Sequence, residues 1–246
     1  MGCASSTPVV PDLPATPSNI VQLLPGSASD LKESCVELLT TSFCGTSAAA
    51  PEGLLNWALD PSCSVDEDPS KPLKEEPSAE RKKHFRWLVN FIFDLALPHG
   101  GCFAVMKDGS PVAVTIAFPP SSRHLHVASM CYTMGRMGDM PAGISGGDAG
   151  IRNNEVHKEC APAPHWYVNM IAVDPKCQGQ GLGKEMLGWV LQCADHTHHP
   201  TYLETFGPRN VGYYEKKGFA IKKQEPIKTS KGDLTLHGGP AAMVRA

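Results

Sequence analysis

The chain has 246 residues, 41% of them hydrophobic and 19% charged, with a formal charge of −3. That length suffices for one sizeable core, and the slight acidic balance argues against a protein that holds nucleic acid by bulk charge. No stretch approaches the roughly 20 apolar residues of a membrane-spanning helix; the longest, 85–97, is interrupted by Arg86, Asn90 and Asp94. The nine cysteines are odd in number, scattered and never in a CxxC pair. With no basic and apolar leader at the N-terminus, reduced thiols and a cytoplasmic location are expected.

In chain order, Met1-Gly2-Cys3-Ala4-Ser5-Ser6 fits the N-myristoylation pattern M-G-x-x-x-[ST]. Cys3 could take a palmitoyl chain as the second anchor that stable membrane attachment needs; the alternative is a short polar tail. Residues 1–18, rich in Ser, Thr and Pro, are expected to form a disordered tail, with a single domain over 19–246. Residues 19–24 suit a strand. Asp30 with Glu33 resembles a capping pair, and Leu31, Cys35, Leu38, Leu39 and Phe43 share one face of a helix that Gly45 ends. A second helix over 82–97 has Phe85, Leu88, Val89, Ile92 and Leu95 inward, and the basic run Arg81-Lys82-Lys83 is expected to solvate its start. Apolar runs at 102–106 and 111–118 flank Asp108-Gly109 as a hairpin. Residues 135–150, glycine-rich and without periodicity, suggest a long loop. A strand over 166–173, a helix over 182–194, a strand over 201–206, a short helix over 211–217 and strands at 219–224 and 241–245 complete an α/β pattern.

The chemistry concentrates after the 166–173 strand, in Val173-Asp-Pro-Lys-Cys-Gln178-Gly179-Gln180-Gly181-Leu182-Gly183-Lys184. A glycine loop between a strand and an amphipathic helix puts backbone N–H groups at a helix N-terminus, where the dipole and the unpaired donors favour a phosphate. The glycine spacing fails the dinucleotide fingerprint G-x-G-x-x-G and the Walker loop alike. It meets Q/R-x-x-G-x-G/A through Gln178, Gly181 and Gly183.

That loop resembles the pyrophosphate loop of the GNAT acetyltransferases, and the likeness extends to Asn210-Val211-Gly212-Tyr213-Tyr214-Glu215-Lys216-Lys217-Gly218-Phe219, similar to N-x-x-x-Y-E-K-x-G-F. Together with Pro164-His165-Trp166-Tyr167-Val168, Leu203-Glu204-Thr205 and Pro208-Arg209-Asn210-Val211, it looks similar to the puromycin N-acetyltransferase-like small-molecule branch. The resemblance is close over 162–224 and rests on element order elsewhere.

The resemblance implies a mixed sheet splayed between its fourth and fifth strands and flanked by helices. Acetyl-CoA would be the cosubstrate, with no metal, and a small primary amine the acceptor, by direct transfer in a ternary complex. It implies that Ile171, Ala172 and Val173 offer backbone to the pantetheine arm, and that Gln178, Gly179, Gln180, Gly181, Leu182, Gly183 and Lys184 surround the pyrophosphate. Asn210 matches a position that bonds the pantetheine, and Tyr214 a tyrosine that can protonate the leaving thiolate; the alternatives are that Tyr214 is a core aromatic or that adjacent Tyr213 faces the site. A phenol, with a pKa near roughly 10, suits that task at neutral pH.

The general base stays open at this level. Members acting on protein lysines or arylalkylamines place Glu or His where this chain has Tyr167. His165 lies on the same strand face by the period of two, and Glu204 on the neighbouring strand could act through water. The alternatives make His165 a strand-end histidine bonded to backbone and Glu204 a partner of Arg209. The acceptor is expected beneath the segment from Tyr132 to Pro164 and beside Trp57 or Trp87. A protein amine as acceptor, or a non-catalytic acyl-CoA-binding module, are the competing readings. Cys193 with His196, His198 and His199 suggests a solvated loop rather than a metal site.

Overall fold

A computed structural model describes residues 10–27, 29–53, 55, 71–120, 122, 147–229 and 232–246. Nine strands are described: β1 (Ile20–Leu23), β2 (Cys102–Lys107), β3 (Ser110–Phe118), β4 (Trp166–Val173), β5 (Thr201–Thr205), β6 (Ala220–Gln224), β7 (Ile227–Thr229), β8 (Gly232–Leu234) and β9 (Ala241–Arg245). The helices are α1 (Ser29–Cys44), α2 (Ala79–Ala96), α3 (Gly147–Cys160), α4 (Leu182–His196) and α5 (Pro208–Glu215). Seven strands form one sheet in the order β1-β2-β3-β4-β5-β9-β6, while β7 and β8 make a separate hairpin. Neighbours pair antiparallel except β4 with β5.

Period-two alternation gives the sheet two apolar faces. Leu23, Ala104, Val114, Ile116, Tyr167 and Tyr202 join the cluster that includes Leu38 and Leu39 of α1 and Phe91 and Phe93 of α2. Phe103, Val105, Trp166, Leu203 and Met243 meet Met186, Leu187, Trp189 and Val190 of α4 on the other. Each such fully buried side chain contributes about 1.5–3 kcal/mol relative to exposure. The helices that cover the sheet thus carry their apolar residues at helical spacing, as the sequence predicts.

Four local features depart from the sequence reading. Arg81 does not solvate a helix start: it is buried, and its Nη2 donates to the Cys44 carbonyl at 2.6 Å. It thereby satisfies an orphan acceptor at the end of α1, while Ser78 caps α2 by accepting from the Arg81 N–H at 3.1 Å. The loop expected over 135–150 gives way to helix from Gly147; residues 135–146 lie outside the described residues. α3 has few apolar positions, and it is held by buried Val156 and His157 and by Arg152–Glu225 and Lys223–Glu159 ion pairs. The β7–β8 hairpin also goes unpredicted, its strands being too short for a period. Leu13, within the expected tail, packs against the α4-side cluster. No helix among the described residues is long and apolar enough to cross a membrane.

Candidate active site

β4 and β5 pair only at Trp166 with Thr201, Tyr167 with Tyr202 and Val168 with Leu203. Residues 169–173 continue β4 along β3 with no β5 residue opposite them. The divergence begins at a bulge: Ile116 faces Met170 and Ala117 faces Val168, which leaves Asn169 as the extra residue. A bulge bends its strand and sharpens the local twist, so β4 turns from β5 where Asn169 is inserted. The wedge so opened runs past Ile171, Ala172 and Val173.

The glycine loop stands at the end of this wedge. Asp174 closes the turn after β4 by accepting from the Lys176 N–H at 2.8 Å. Gly179 and Gly181 adopt φ of +78° and +85°, a region that costs a residue with a Cβ about 1–2 kcal/mol. A Cβ built on either meets nothing within 4 Å, so open space rather than packing surrounds the loop. At Gly183 a Cβ would lie 3.4 Å from Val173 Cγ2, which keeps the first turn of α4 close to β4. The first α4 bond is made by the Glu185 N–H to Gly181 O at 3.0 Å, so the N–H groups of Leu182, Gly183 and Lys184 precede the helix ladder. Gly181, the N-cap, has no side chain with which to satisfy them. Open space, unladdered donors and a helix dipole together fit an anionic phosphate.

On the α4 side, α5 carries Tyr214. Its ring packs into the apolar cluster, 5.7 Å from Phe219, and burial pushes its hydroxyl pKa up. Tyr213 is the outward member of the pair, with Lys217 Nζ 5.9 Å from its ring centroid. Asn210 donates from Nδ2 to the Phe206 carbonyl at 3.2 Å. At the same end, Gly53 lies against the Phe206 ring so closely that a Cβ would come within 2.5 Å of it. Adjacent Glu52 is anchored by its N–H to Phe43 O at 3.0 Å, and its carboxylate accepts from the Leu55 N–H at 2.6 Å. Glu52 acts electrostatically on both Tyr214 and Tyr167. The two tyrosines therefore approach one region from opposite faces of the sheet.

On the opposite face, a polar network surrounds Glu204 of β5. Its carboxylate accepts from Tyr202 Oη at 2.8 Å and from Asn153 Nδ2 of α3 at 3.1 Å. The Tyr167 hydroxyl donates to it as well and accepts from Asn169. Loss of water lifts the Glu204 pKa from the ordinary carboxylate range to about 7, against the lowering effect of the bonds from Tyr202 and Tyr167. Burial keeps both phenols protonated. His157 of α3 stacks on Tyr202 with ring centroids 4.1 Å apart and lies 2.6 Å, Nε2 to Nε2, from His165. The Ala163 carbonyl, 2.7 Å from His165 Nδ1, can only accept, so Nδ1 carries the proton in neutral His165. His165 Nε2 then accepts from His157, and burial lowers the His165 pKa.

The sequence profile of the acetyltransferase (GNAT) family matches residues 63–219. The chain belongs to that family. Solved structures share the GNAT fold at low identity. The C-terminal condensation domain of Ebony, in complex with β-alanyl-dopamine, is 9% identical over 92% of this chain and 97% of that one, with a TM-score of 0.58. A Corynebacterium glutamicum protein described as histone acetyltransferase HPA2 and related acetyltransferase is 16% identical over 92% and 94%, at 0.52. Drosophila melanogaster polyamine N-acetyltransferase, which forms N-acetylagmatine, is 18% identical over 92% and 97%, at 0.50.

In this GNAT domain the parallel β4–β5 pair and its flanking helices agree with the expected α/β fold. Ile171–Val173 line the β4 divergence and Gln178–Lys184 form the loop after it; Tyr214 packs around the same α4-side cluster as Ile171, Val173 and Leu182, and Asn210 bonds the Phe206 carbonyl. The structure joins His165 and Glu204 on the other face through His157 and Tyr202. Glu204 is paired not with Arg209 but with Tyr202, Tyr167 and Asn153. Sequence reasoning missed Asn153 and His157, because α3 has no clear period. It set Asn169 aside as a base and did not foresee the bulge there, which has no side-chain signature, whereas Tyr202 was available from the period of two through Glu204. Cys193 lies buried inside α4, with its thiol pKa pushed up to about 12, and not in a solvated loop. Trp57, Tyr132, Gly2 and Cys3 lie outside the described residues.

Proposed function

We propose that the protein transfers the acetyl group of acetyl-CoA to the primary amine of a small molecule by direct attack in a ternary complex. The observation that carries this reading is the β4–β5 wedge with the open glycine loop at its end. The N–H groups of the Gln178–Lys184 segment bind the pyrophosphate of acetyl-CoA. The backbone of Ile171, Ala172 and Val173 pairs with the pantetheine arm, and Asn210 offers it an amide oxygen.

Glu204 is the base. It takes a proton from the incoming ammonium through the Tyr167 hydroxyl, and near pH 7 it is poised between its two forms. The amine then attacks the thioester carbonyl, the C–S bond breaks, and Tyr214 protonates the departing thiolate. His165, with both ring nitrogens engaged, is a positioning residue that ties α3 to β4. The carboxylates of Glu52 and Glu204 suit a cationic acceptor, and the cover formed by α3 suits a small one.

Acetyl-CoA consumption with a panel beginning with agmatine and dopamine tests the reading. Turnover of an amine supports it. Tight acetyl-CoA binding without turnover, unchanged in Tyr214→Phe, would replace the enzyme with an acyl-CoA-binding module. The M-G-x-x-x-[ST] pattern further supports myristoylation of Gly2 and palmitoylation of Cys3, which would place this cytoplasmic domain at a membrane. Labelled myristate should enter the wild type and not Gly2→Ala; no label in either ends that proposal.

A further inference from the structure

Acetylating a cationic amine releases one proton per turnover. The R–NH3+ group loses two protons as the amide forms, and the thiolate takes one as the C–S bond breaks. The other remains on Glu204, which cannot serve again until it has passed that proton to solvent. The bond to Tyr167 leads only back to the amine, and Tyr202 already donates to the carboxylate.

A cavity adjoins Glu204 on the side of α3, β6 and β9. Its walls include Asn153 and Val156 of α3, Lys223 of β6, Glu225 beyond it, and Ala242 of β9, which stands opposite Glu204 in the sheet. Its volume to the centre of a water molecule is about 10 Å³, close to the roughly 10–15 Å³ that one water needs. Glu204, Asn153, Lys223 and Glu225 supply the polar partners such a water requires. The outer wall is an ion-pair cluster at the surface. Lys223 Nζ lies 2.6 Å from Glu159 Oε2 and 3.5 Å from Glu225 Oε2, while Arg152 Nη2 is 2.5 Å from Glu225 Oε1. The Lys223 and Glu225 side chains keep 23% and 32% of their exposure, so the cluster reaches solvent.

We infer that this cavity is a one-water proton exit: Glu204 hands its proton to a water held by Asn153, and Glu225 beside Lys223 passes it to bulk. The inference rests on the acetyltransfer reading above. The groups that face Glu204 are the Tyr167 phenol of β4, the Tyr202 phenol of β5, the Asn153 amide and Cys160 thiol of α3, Lys223 of β6, and Glu225. Glu225, at the surface end, is the acceptor among them that can pass a proton on to solvent. β9 contributes only apolar wall, so the cavity can be filled from that side without touching a hydrogen bond of Glu204.

Ala242→Val fills the cavity, and Val156→Ile does so from α3 should the first variant fail to fold. With agmatine as acceptor, and dopamine if agmatine is not turned over, rapid mixing separates the first turnover from the steady state. At pH 8, above the Glu204 pKa of about 7, the first turnover of a variant should keep its wild-type rate, because most Glu204 begins ionised. Later turnovers should slow by about ten-fold, a modest part of the roughly 10²–10⁴-fold contributed by positioned proton transfer. The KM for acetyl-CoA should not move, and the solvent deuterium effect on kcat should rise. An unchanged steady state, or an equal loss in both phases, overturns the exit while leaving the acetyltransfer reading intact. No turnover of either amine by the wild type overturns both.

Discussion

Gly181→Ala separates what the loop's geometry does for folding from what it does for binding. Gly181 has φ of +85°, and a Cβ there meets no protein atom within 4 Å. The cost to the free protein is therefore conformational alone, about 1–2 kcal/mol. At about 2–4 °C per kcal/mol for a domain of this size, Tm should fall by about 2–8 °C. Saturating the wild type with acetyl-CoA at about 100 times its Kd adds about 2.7 kcal/mol. If the new methyl removes one charge-assisted hydrogen bond to the pyrophosphate, about 1.5–3 kcal/mol, the same concentration protects the variant by about 1.3 kcal/mol or less. Gly109→Ala is the matched control: φ is +79°, again with nothing within 4 Å, but in the β2–β3 turn away from the wedge. Differential scanning fluorimetry of the three proteins with and without acetyl-CoA makes the comparison. Both variants should lose Tm alone, and only Gly181→Ala should lose the ligand shift. A full shift in Gly181→Ala, or an equal loss in Gly109→Ala, would refute the assignment of the loop.

Tyr214→Phe should lower kcat by about 10²-fold or more and leave the KM for acetyl-CoA unchanged, since only the proton donor is removed; an equal rate would exclude Tyr214 as the acid. Activity of the wild type should rise with pH through about 7 as Glu204 ionises, and Glu204→Gln should abolish that limb. The same group has a stability signature. Its folded pKa lies above the ordinary value of 4.5, so between pH 4.5 and about 7 the native state binds more protons than the unfolded one, and stability falls as pH rises. Urea titrations across that range should show the wild type losing on the order of 2–3 kcal/mol relative to Glu204→Gln; parallel curves would deny the elevated pKa. Cys35, Cys102 and Cys193 are buried with raised thiol pKa values. They should resist thiol reagents until the protein is unfolded, as mass mapping of labelled peptides can check.

The elements that sequence located best are those whose burial is regular. β4 falls at 166–173 and β9 at 241–245, as alternation and flanking turns predict, and the α4 start is marked by its glycines. α3 was hidden because its packing rests on charge pairs and one histidine rather than an apolar stripe. The glycine loop was legible because its need for positive φ leaves a direct mark. The polar network around Glu204 was less so. Glu204 stood out as a residue, but its pKa depends on Tyr167 from β4 and Asn153 from α3, which no local pattern brings together. Arg81 shows the same limit: within a basic run it looks solvated, and only the end of α1 at Cys44 explains its burial.

β9 lies between β5 and β6, although β6 precedes it in the chain. On the ribosome, β5 must therefore wait with an open edge while 206–240 are made, a delay of a few seconds at roughly 5–20 residues per second. Glu204 sits on that waiting strand, and Ala242 is the residue that finally comes to lie opposite it. Until then the nascent chain presents an unpaired strand to any neighbour, the usual template for misassembly. A break in translation before Ala241 would release a protein whose glycine loop has been synthesised but whose sheet lacks the strand that joins β6 to β5.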